Sequence, residues 1–92
     1  MVNFSIQYHL DVVEKDIPLL SQEWRSIVKK SIEEKLTTRP EIFGKPLRSS
    51  LRGYRKLRVG DYRVIFRIEN VCVKIFVIQH RSVVYKNIEK RI

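Results

Sequence analysis

The most constraining feature of the sequence lies in its second half, where three strand-like runs follow one another with only two residues between them. The runs span residues 54–59, 62–68 and 71–79, and each carries β-branched or aromatic residues. The intervening pairs, Gly60-Asp61 and Glu69-Asn70, are short enough to be hairpin loops. Because so short a loop can join only antiparallel neighbours, the three runs are predicted to form an antiparallel meander.

The first half of the chain predicts one strand and two helices. Residues 3–8 alternate between apolar and polar side chains, which is typical of a strand. Residues 10–20 have apolar side chains at helical spacing, and Pro18 predicts a break near Asp16. A second helix is predicted from an N-cap at Ser21 to about residue 38. Its apolar stripe consists of Trp24, Ile27, Val28, Ile32 and Leu36.

The resulting order of elements is strand, helix, helix, strand, strand, strand (β-α-α-β-β-β). A chain of 92 residues has room for a single hydrophobic core, so residues 1–92 are interpreted as one domain. We therefore predict an α+β fold, in which an antiparallel twisted sheet has the two N-terminal helices packed on one face. The other face is left for water or for a partner. Residues 82–92 are interpreted as either a short C-terminal helix or a frayed tail.

The charge balance favours a polyanionic partner, either a nucleic acid or an acidic protein. Nineteen lysines and arginines stand against ten acidic residues, which gives a net charge of +9. The basic residues do not follow one amphipathic helix, and no run approaches the roughly 20 apolar residues that span a bilayer. We therefore expect no membrane partner. The first residues do not form a secretory signal, so cytoplasmic residence is the expectation.

The two faces of the predicted meander differ in character, because side chains alternate across a strand. One face carries Leu57, Val59, Val64 and Phe66, which we place beneath the helices, and Tyr62 is interpreted as packing there too. The opposite face gathers four cations, namely Lys56, Arg58, Arg63 and Arg67. Adjacent like charges cost free energy that a bound anion would offset. The alternative is a basic sheet edge that deters strand aggregation.

Several short motifs in the second half of the chain form a set. They are GKPL at 44–47, LRG at 51–53, LRVGDYRVIF at 57–66, and HR at 80–81 followed by VY at 84–85. Together they resemble the RelE/ParE superfamily of toxins from toxin–antitoxin pairs, and the resemblance covers nearly the whole chain. It implies a RelE-like fold and a small acidic antitoxin as partner.

The resemblance also implies an activity, since RelE-like toxins are metal-independent endoribonucleases and many cut messenger RNA on the ribosome. The implied reaction is attack by a ribose 2′-OH on the neighbouring phosphate, with the 5′ oxygen leaving. No metal or other cofactor is implied. The sequence has no Cys/His cluster at metal-ligand spacing and no glycine-rich phosphate loop. Its single cysteine, Cys72, is expected to be a buried small hydrophobe and excludes an internal disulfide.

Matching the family's motifs gives the candidate catalytic residues, which are Lys56, Arg58, Arg63, His80, Arg81 and Tyr85. The arginines suit stabilisation of charge on the phosphate, and Tyr85 suits stacking on a base or proton transfer. The base is left open between Lys56 and His80. His80 is considered because histidine is the side chain that titrates nearest neutral pH. The chain departs from some relatives in having Tyr54 in place of a second lysine and a shorter spacing between Arg81 and Tyr85.

The remaining cations of this basic segment, together with one tyrosine, are assigned to RNA binding. They are Lys45, Arg48, Arg52, Tyr54, Arg55 and Arg67. Two other functions compete with the nuclease. One is inhibition of DNA gyrase without RNA cleavage, as in ParE-like toxins of the same fold, and the other is a basic RNA-binding module without catalysis. The converging lysine, arginine and tyrosine residues favour the nuclease.

Overall fold

The computed structural model describes residues 3–92, and five strands in this part of the chain form one sheet. The strands are β1 (Ser5–Tyr8), β2 (Lys45–Pro46), β3 (Arg55–Val59), β4 (Tyr62–Glu69) and β5 (Cys72–His80). Their order across the sheet is β1-β5-β4-β3-β2. The mixed α+β architecture predicted from the sequence is confirmed.

The helical segments lie between β1 and β2 and after β5, and a 3₁₀ turn, Ser49–Leu51, lies between β2 and β3. They begin with a π-helical turn, Val12–Asp16, and a 3₁₀ turn, Ile17–Leu19, so the break predicted near Asp16 is confirmed. Helix α1 (Gln22–Ser31) continues into a second π-helical turn, Ile32–Leu36. A single turn, α2 (Pro40–Phe43), precedes β2, and α3 (Val84–Arg91) is the predicted C-terminal helix.

The N-terminus of α1 begins where the sequence placed it. The hydroxyl of Ser21 accepts a hydrogen bond from the N–H of Trp24 at 3.2 Å. This bond satisfies one of the backbone donors that the first turn of a helix leaves unpaired. Trp24 also packs on Tyr62 with their ring centroids 4.8 Å apart, which joins α1 to the sheet.

Strands β3, β4 and β5 form the predicted antiparallel meander. At its hairpin turns Gly60 and Asn70 adopt positive φ angles of 58° and 56°, the conformation that two-residue hairpins favour. Strand β1 departs from the expected antiparallel pairing, because it lies parallel to β5. A long helical connection separates β1 from the meander, so no tight turn dictates the direction of this pair.

The core lies between α1 and the sheet. Val28, Ile32 and Leu36 from the helical segment pack in one cluster with residues from the sheet. The sheet residues include the four predicted to face the helices, Leu57, Val59, Val64 and Phe66. Burial of this apolar surface is the main stabilising contribution of the N-terminal helices.

The second face of the sheet is partly covered, which corrects the expectation that it is left for water or a partner. Val84 and Ile88 of α3 pack on Ile65 and Val77 in a second buried cluster. Residues 84 and 88 are one helical turn apart, so both side chains point to the sheet. The loop before β3 adds Leu47, Leu51 and Tyr54 to the edge of this cluster.

A buried ion pair fixes the end of α3 to the first half of the chain. The carboxylate of Asp16, only 2 % exposed, accepts hydrogen bonds from Arg91 Nη1 at 2.8 Å and Nη2 at 3.1 Å. It also accepts from the N–H of Ile78 at 2.9 Å and from Gln79 Nε2 at 3.1 Å. Gln79 in turn accepts a bond from Asn87 of α3 at 3.1 Å. The middle and the C-terminal end of α3 are therefore held in place.

Cys72, interpreted from the sequence as a buried small hydrophobe, is only half-buried at the start of β5. Within residues 3–92, no helix combines the length and the apolar character that crossing a membrane requires.

Candidate functional site

Four cations meet on the face of the sheet opposite α1. Lys45 of β2 lies beside Lys56 of β3, and Arg58 of β3 lies beside Arg63 of β4. These side chains line a pocket of about 200 Å³ together with Phe43. We call this set, Phe43, Lys45, Lys56, Arg58 and Arg63, the basic pocket. None of its lining residues is acidic, so the pocket is suited to an anion.

Tyr85 borders the basic pocket from α3. The ammonium of Lys56 donates to the hydroxyl of Tyr85 at 3.4 Å and lies 5.8 Å from the centroid of its ring. Tyr85 as a whole remains 46 % exposed. The packing of α3 on Ile65 and Val77 therefore presents a phenol group next to the pocket.

The guanidinium of Arg63 is held in a defined position. Its Nη1 donates to the carbonyls of Gly60 and Tyr62, both at 2.9 Å. These bonds tether Arg63 to the β3–β4 turn, beside Arg58. A fixed guanidinium loses little conformational freedom when it binds a phosphate.

Arg81 lies at the same end of the sheet, where β5 ends. The backbone N–H of Arg81 donates to the backbone carbonyl of Asp61 at 2.8 Å, and the side-chain Nε of Arg81 lies 3.7 Å from a carboxylate oxygen of Asp61. Both side chains are more than 60 % exposed, at 62 % and 61 %. Exposed pairs of this kind contribute little to stability, so an incoming phosphate can replace Asp61 as the partner of Arg81.

His80 lies on the opposite face from the basic pocket. It is paired with Tyr62, and their rings meet edge to face with centroids 5.5 Å apart. Its Nδ1 lies 2.8 Å from the hydroxyl of Ser82 and accepts from the N–H of Ser82 at 3.1 Å. Of the two residues considered as the base, Lys56 is in the pocket and His80 is on the side of the helices.

The residues assigned to RNA binding are dispersed. Lys45 is in the basic pocket, whereas Arg48 and Arg52 are exposed on the loop between β2 and β3. Arg55 lies on the side of the helices, where its Nη1 donates to the carbonyls of Glu41 at 3.2 Å and Gly44 at 2.9 Å. Arg55 thus holds the segment before β2 in place.

Arg67 and Tyr54 form a separate pair on the same face as the pocket. The guanidinium of Arg67 lies 5.8 Å from the centroid of the Tyr54 ring, which in turn meets Phe76 edge to face at 5.3 Å. Tyr54 is half-buried in the second cluster and acts in packing there. Arg67 shares its face with Arg63 but is four residues further along the strand.

Two features of the site were missed in the sequence. Phe43 lines the basic pocket, although it is not among the candidate residues named from the sequence. The sequence offers one signal for including Phe43 in the site, which is that it directly precedes the GKPL motif of residues 44–47. The pair of Asp16 and Arg91, which helps to position Tyr85 through α3, joins residues 75 apart in sequence and left no local signal.

Comparison with known families and structures agrees with this fold. The model of the family described as "ParE toxin of type II toxin-antitoxin system, parDE" matches residues 13–85. A curated relative, Toxin RelE from Mycobacterium tuberculosis, is 31 % identical over 84 residues, which cover 86 % of this chain and 87 % of the relative. The chain belongs to the RelE/ParE superfamily of toxins. It is therefore a toxin of a type II toxin–antitoxin system.

Solved structures share its architecture. The toxin–antitoxin complex RelBE2 from Mycobacterium tuberculosis contains a chain with a TM-score of 0.82 and 28 % identity, and the match covers 89 % of this chain and 95 % of that one. YafQ from Escherichia coli matches with a TM-score of 0.58 and 17 % identity over 89 % of this chain and 98 % of YafQ. At that identity YafQ supports the fold alone.

Proposed function

We propose that this toxin cleaves messenger RNA on the ribosome by attack of a ribose 2′-OH on the adjacent phosphate. The observation that carries the proposal is the basic pocket itself. Three cations there, Lys45, Arg58 and Arg63, surround a site without acidic lining, and Lys56 contacts the hydroxyl of Tyr85 at its border. This combination supplies charge stabilisation and proton-transfer groups within one small volume.

The proposed reaction needs the cations most when negative charge grows on the phosphate oxygens. The 2′ oxygen forms a bond to phosphorus while the bond to the 5′ oxygen breaks, which yields a 2′,3′-cyclic phosphate and a 5′-hydroxyl. Arg58 and Arg63 donate to the equatorial oxygens, because guanidinium groups match the geometry of phosphate. Arg81, at the end of β5, contacts the RNA strand after a phosphate of the RNA has replaced Asp61 as its partner.

Lys56 and Tyr85 are assigned the proton transfers. The proton of the 2′-OH must leave during attack, and the 5′ oxygen must gain one as it departs. Lys56 is the candidate base that lies in the basic pocket, and it accepts the 2′-OH proton as the neutral amine. Its contact with Tyr85 provides a path by which this proton replaces the one that the Tyr85 hydroxyl gives to the departing 5′ oxygen. The exposed ring of Tyr85 is also placed to stack on a base of the message.

A cognate acidic antitoxin is the second proposed partner. The match to a chain of the RelBE2 complex supports such a partner, since that structure is a toxin–antitoxin complex. A protein with a net charge of +9 associates quickly with an acidic chain. We expect the neighbouring gene to encode a small protein with an acidic segment, and its absence would count against this partner.

Gyrase inhibition is the competing function, because the family model that matches is that of ParE toxins. Gyrase inhibition does not require Lys56, Arg58 and Tyr85 to converge on one site. The two functions therefore predict different consequences of substitutions in the basic pocket.

Induction in a bacterial host with mapping of messenger RNA 5′ ends separates the two functions. Codon-phased new ends are expected, and Arg63→Ala and Arg81→Ala should each relieve toxicity without unfolding the protein. Lys30→Ala, on an exposed turn of α1, is the control for loss of one charge. Intact transcripts together with broken chromosomal DNA would instead support gyrase inhibition.

A further inference from the structure

We infer that Phe43 forms a nucleobase-binding site, on which a base next to the bound phosphate of single-stranded RNA stacks. The inference rests on the proposed function, since it names how that substrate is held. Phe43 lines the basic pocket beside Lys45, Arg58 and Arg63, yet the residue is 43 % exposed. A phenyl ring that is both exposed and adjacent to phosphate-binding cations has the composition of a single-strand binding groove.

The backbone around Phe43 is fixed, so the exposed ring is presented rather than loosely attached. The N–H of the next residue, Gly44, donates to the carbonyl of Pro40 at 3.0 Å, and the carbonyl of Gly44 accepts from Arg55 at 2.9 Å. Gly44 itself is buried, and a Cβ added there would overlap the ring of Phe66. The glycine therefore lets the chain lie directly on the core while the ring of Phe43 stays at the surface.

The charges around the ring favour a nucleotide over an apolar ligand. The ammonium of Lys35 lies 5.8 Å from the centroid of the Phe43 ring, which adds a further cation to those of the pocket. Ile42, the neighbouring residue, is 62 % exposed but does not line the pocket. Phe43 is thus the apolar surface that a base reaches when its phosphate lies on Arg58 and Arg63.

Tyr85 and Phe43 border the basic pocket from different elements, α3 and α2. A strand whose phosphate occupies the pocket can place one base on each ring. Stacking on an aromatic ring is tolerant of sequence, because every base has a π face. Phe43 is therefore expected to add affinity for any base rather than to select one.

Binding of two uncleavable strands tests the inference. The probes are a single-stranded oligothymidine DNA and an abasic DNA strand of equal length, so that the backbone phosphates are the same. At low salt the wild-type protein should bind the base-bearing strand more tightly than the abasic one. Phe43→Leu should lower affinity for the base-bearing strand by roughly 5- to 150-fold, the range of one stacked base, and leave affinity for the abasic strand unchanged.

Three matched variants make the outcome specific. Phe43→Trp should restore preference for the base-bearing strand, whereas Ile42→Ala should bind both strands as the wild type does. Lys45→Ala should weaken binding to both strands alike. If Phe43→Leu matches the wild type on both strands while Lys45→Ala is weakened, the base site is overturned and the proposed phosphate site stands. If the wild type binds neither strand, both the inference and the proposed function are overturned.

Discussion

Replacing Arg91 by Ala should lower the free energy of unfolding by about 3 kcal/mol, the lower end of the range for removing one partner of a buried ion pair. The side chains of Arg91 and Asp16 are only 10 % and 1 % exposed. The substitution removes two hydrogen bonds from the Asp16 carboxylate, those from Nη1 and Nη2. Ile78 and Gln79 still donate to Asp16, which keeps the loss near the lower end of the range.

Thermal and urea unfolding followed by circular dichroism measure this loss. For a domain of this size, a loss of about 3 kcal/mol corresponds to a decrease of roughly 12–24 °C in Tm. The control is Lys30→Ala, which removes an exposed pair with Glu34 whose side chains are 75 % and 61 % exposed. Exposed pairs contribute about 0–1 kcal/mol, so the control should unfold almost as the wild type does.

The loss at Arg91 should not depend on pH near neutrality. The hydrogen bonds with Asp16 raise the pKa of Arg91, and the charges of Asp16 and Asp11 add to this while burial opposes it. A raised pKa in the folded state gives a stabilisation that is complete below the ordinary pKa of arginine and is lost only as the pH rises through the raised value. If Arg91→Ala lowers the free energy of unfolding no more than Lys30→Ala does at pH 6 and pH 9, the stabilising role of the Arg91–Asp16 pair is refuted.

Three further substitutions probe other parts of the fold. Burial raises the pKa of Tyr8, and the charge of Glu33 raises it further. The folded state therefore favours the neutral phenol, and the free energy of unfolding should fall as the pH rises above 10 and through the raised pKa. Tyr8→Phe should weaken this fall in urea titrations at alkaline pH. Ser21→Ala should cost about 1 kcal/mol in thermal unfolding, because it removes the N-cap of α1. Gly60→Ala should destabilise by more than about 1 kcal/mol, because φ is 58° and the new Cβ would lie 2.6 Å from the Trp24 ring. Unchanged unfolding of any of these variants would contradict the corresponding contact.

The meander and its two faces could be predicted from the sequence because both depend on local rules. Two-residue loops impose antiparallel pairing, and alternation then separates Leu57 and Val64 from Lys56 and Arg63. The same rules explain why Arg58 and Arg63 meet, since adjacent strands bring them into register.

The remaining features depend on contacts between distant parts of the chain. The alternation of side chains along β3 and β4 showed that one face of the sheet is basic. It did not show that α3 would cover the apolar residues Ile65 and Val77 on that same face. Strand β5 contains a bulge at Phe76, where the register with β4 shifts, so alternation along β5 could not fix the face of His80. Its pairing with Tyr62 places it beside the helices.

Cleavage of a defined message by the purified protein tests the proposed chemistry most directly. Ribosomes would carry either an all-ribose message or one with a single 2′-deoxynucleotide at the mapped cut site. We predict that the first message is cut to a 2′,3′-cyclic phosphate and a 5′-hydroxyl, and that the second is not cut at that bond. Arg63→Ala should slow the cut by about 100- to 1,000-fold, the usual effect of losing one transition-state donor. Cleavage of the deoxy message at the same bond would contradict attack by the 2′-OH.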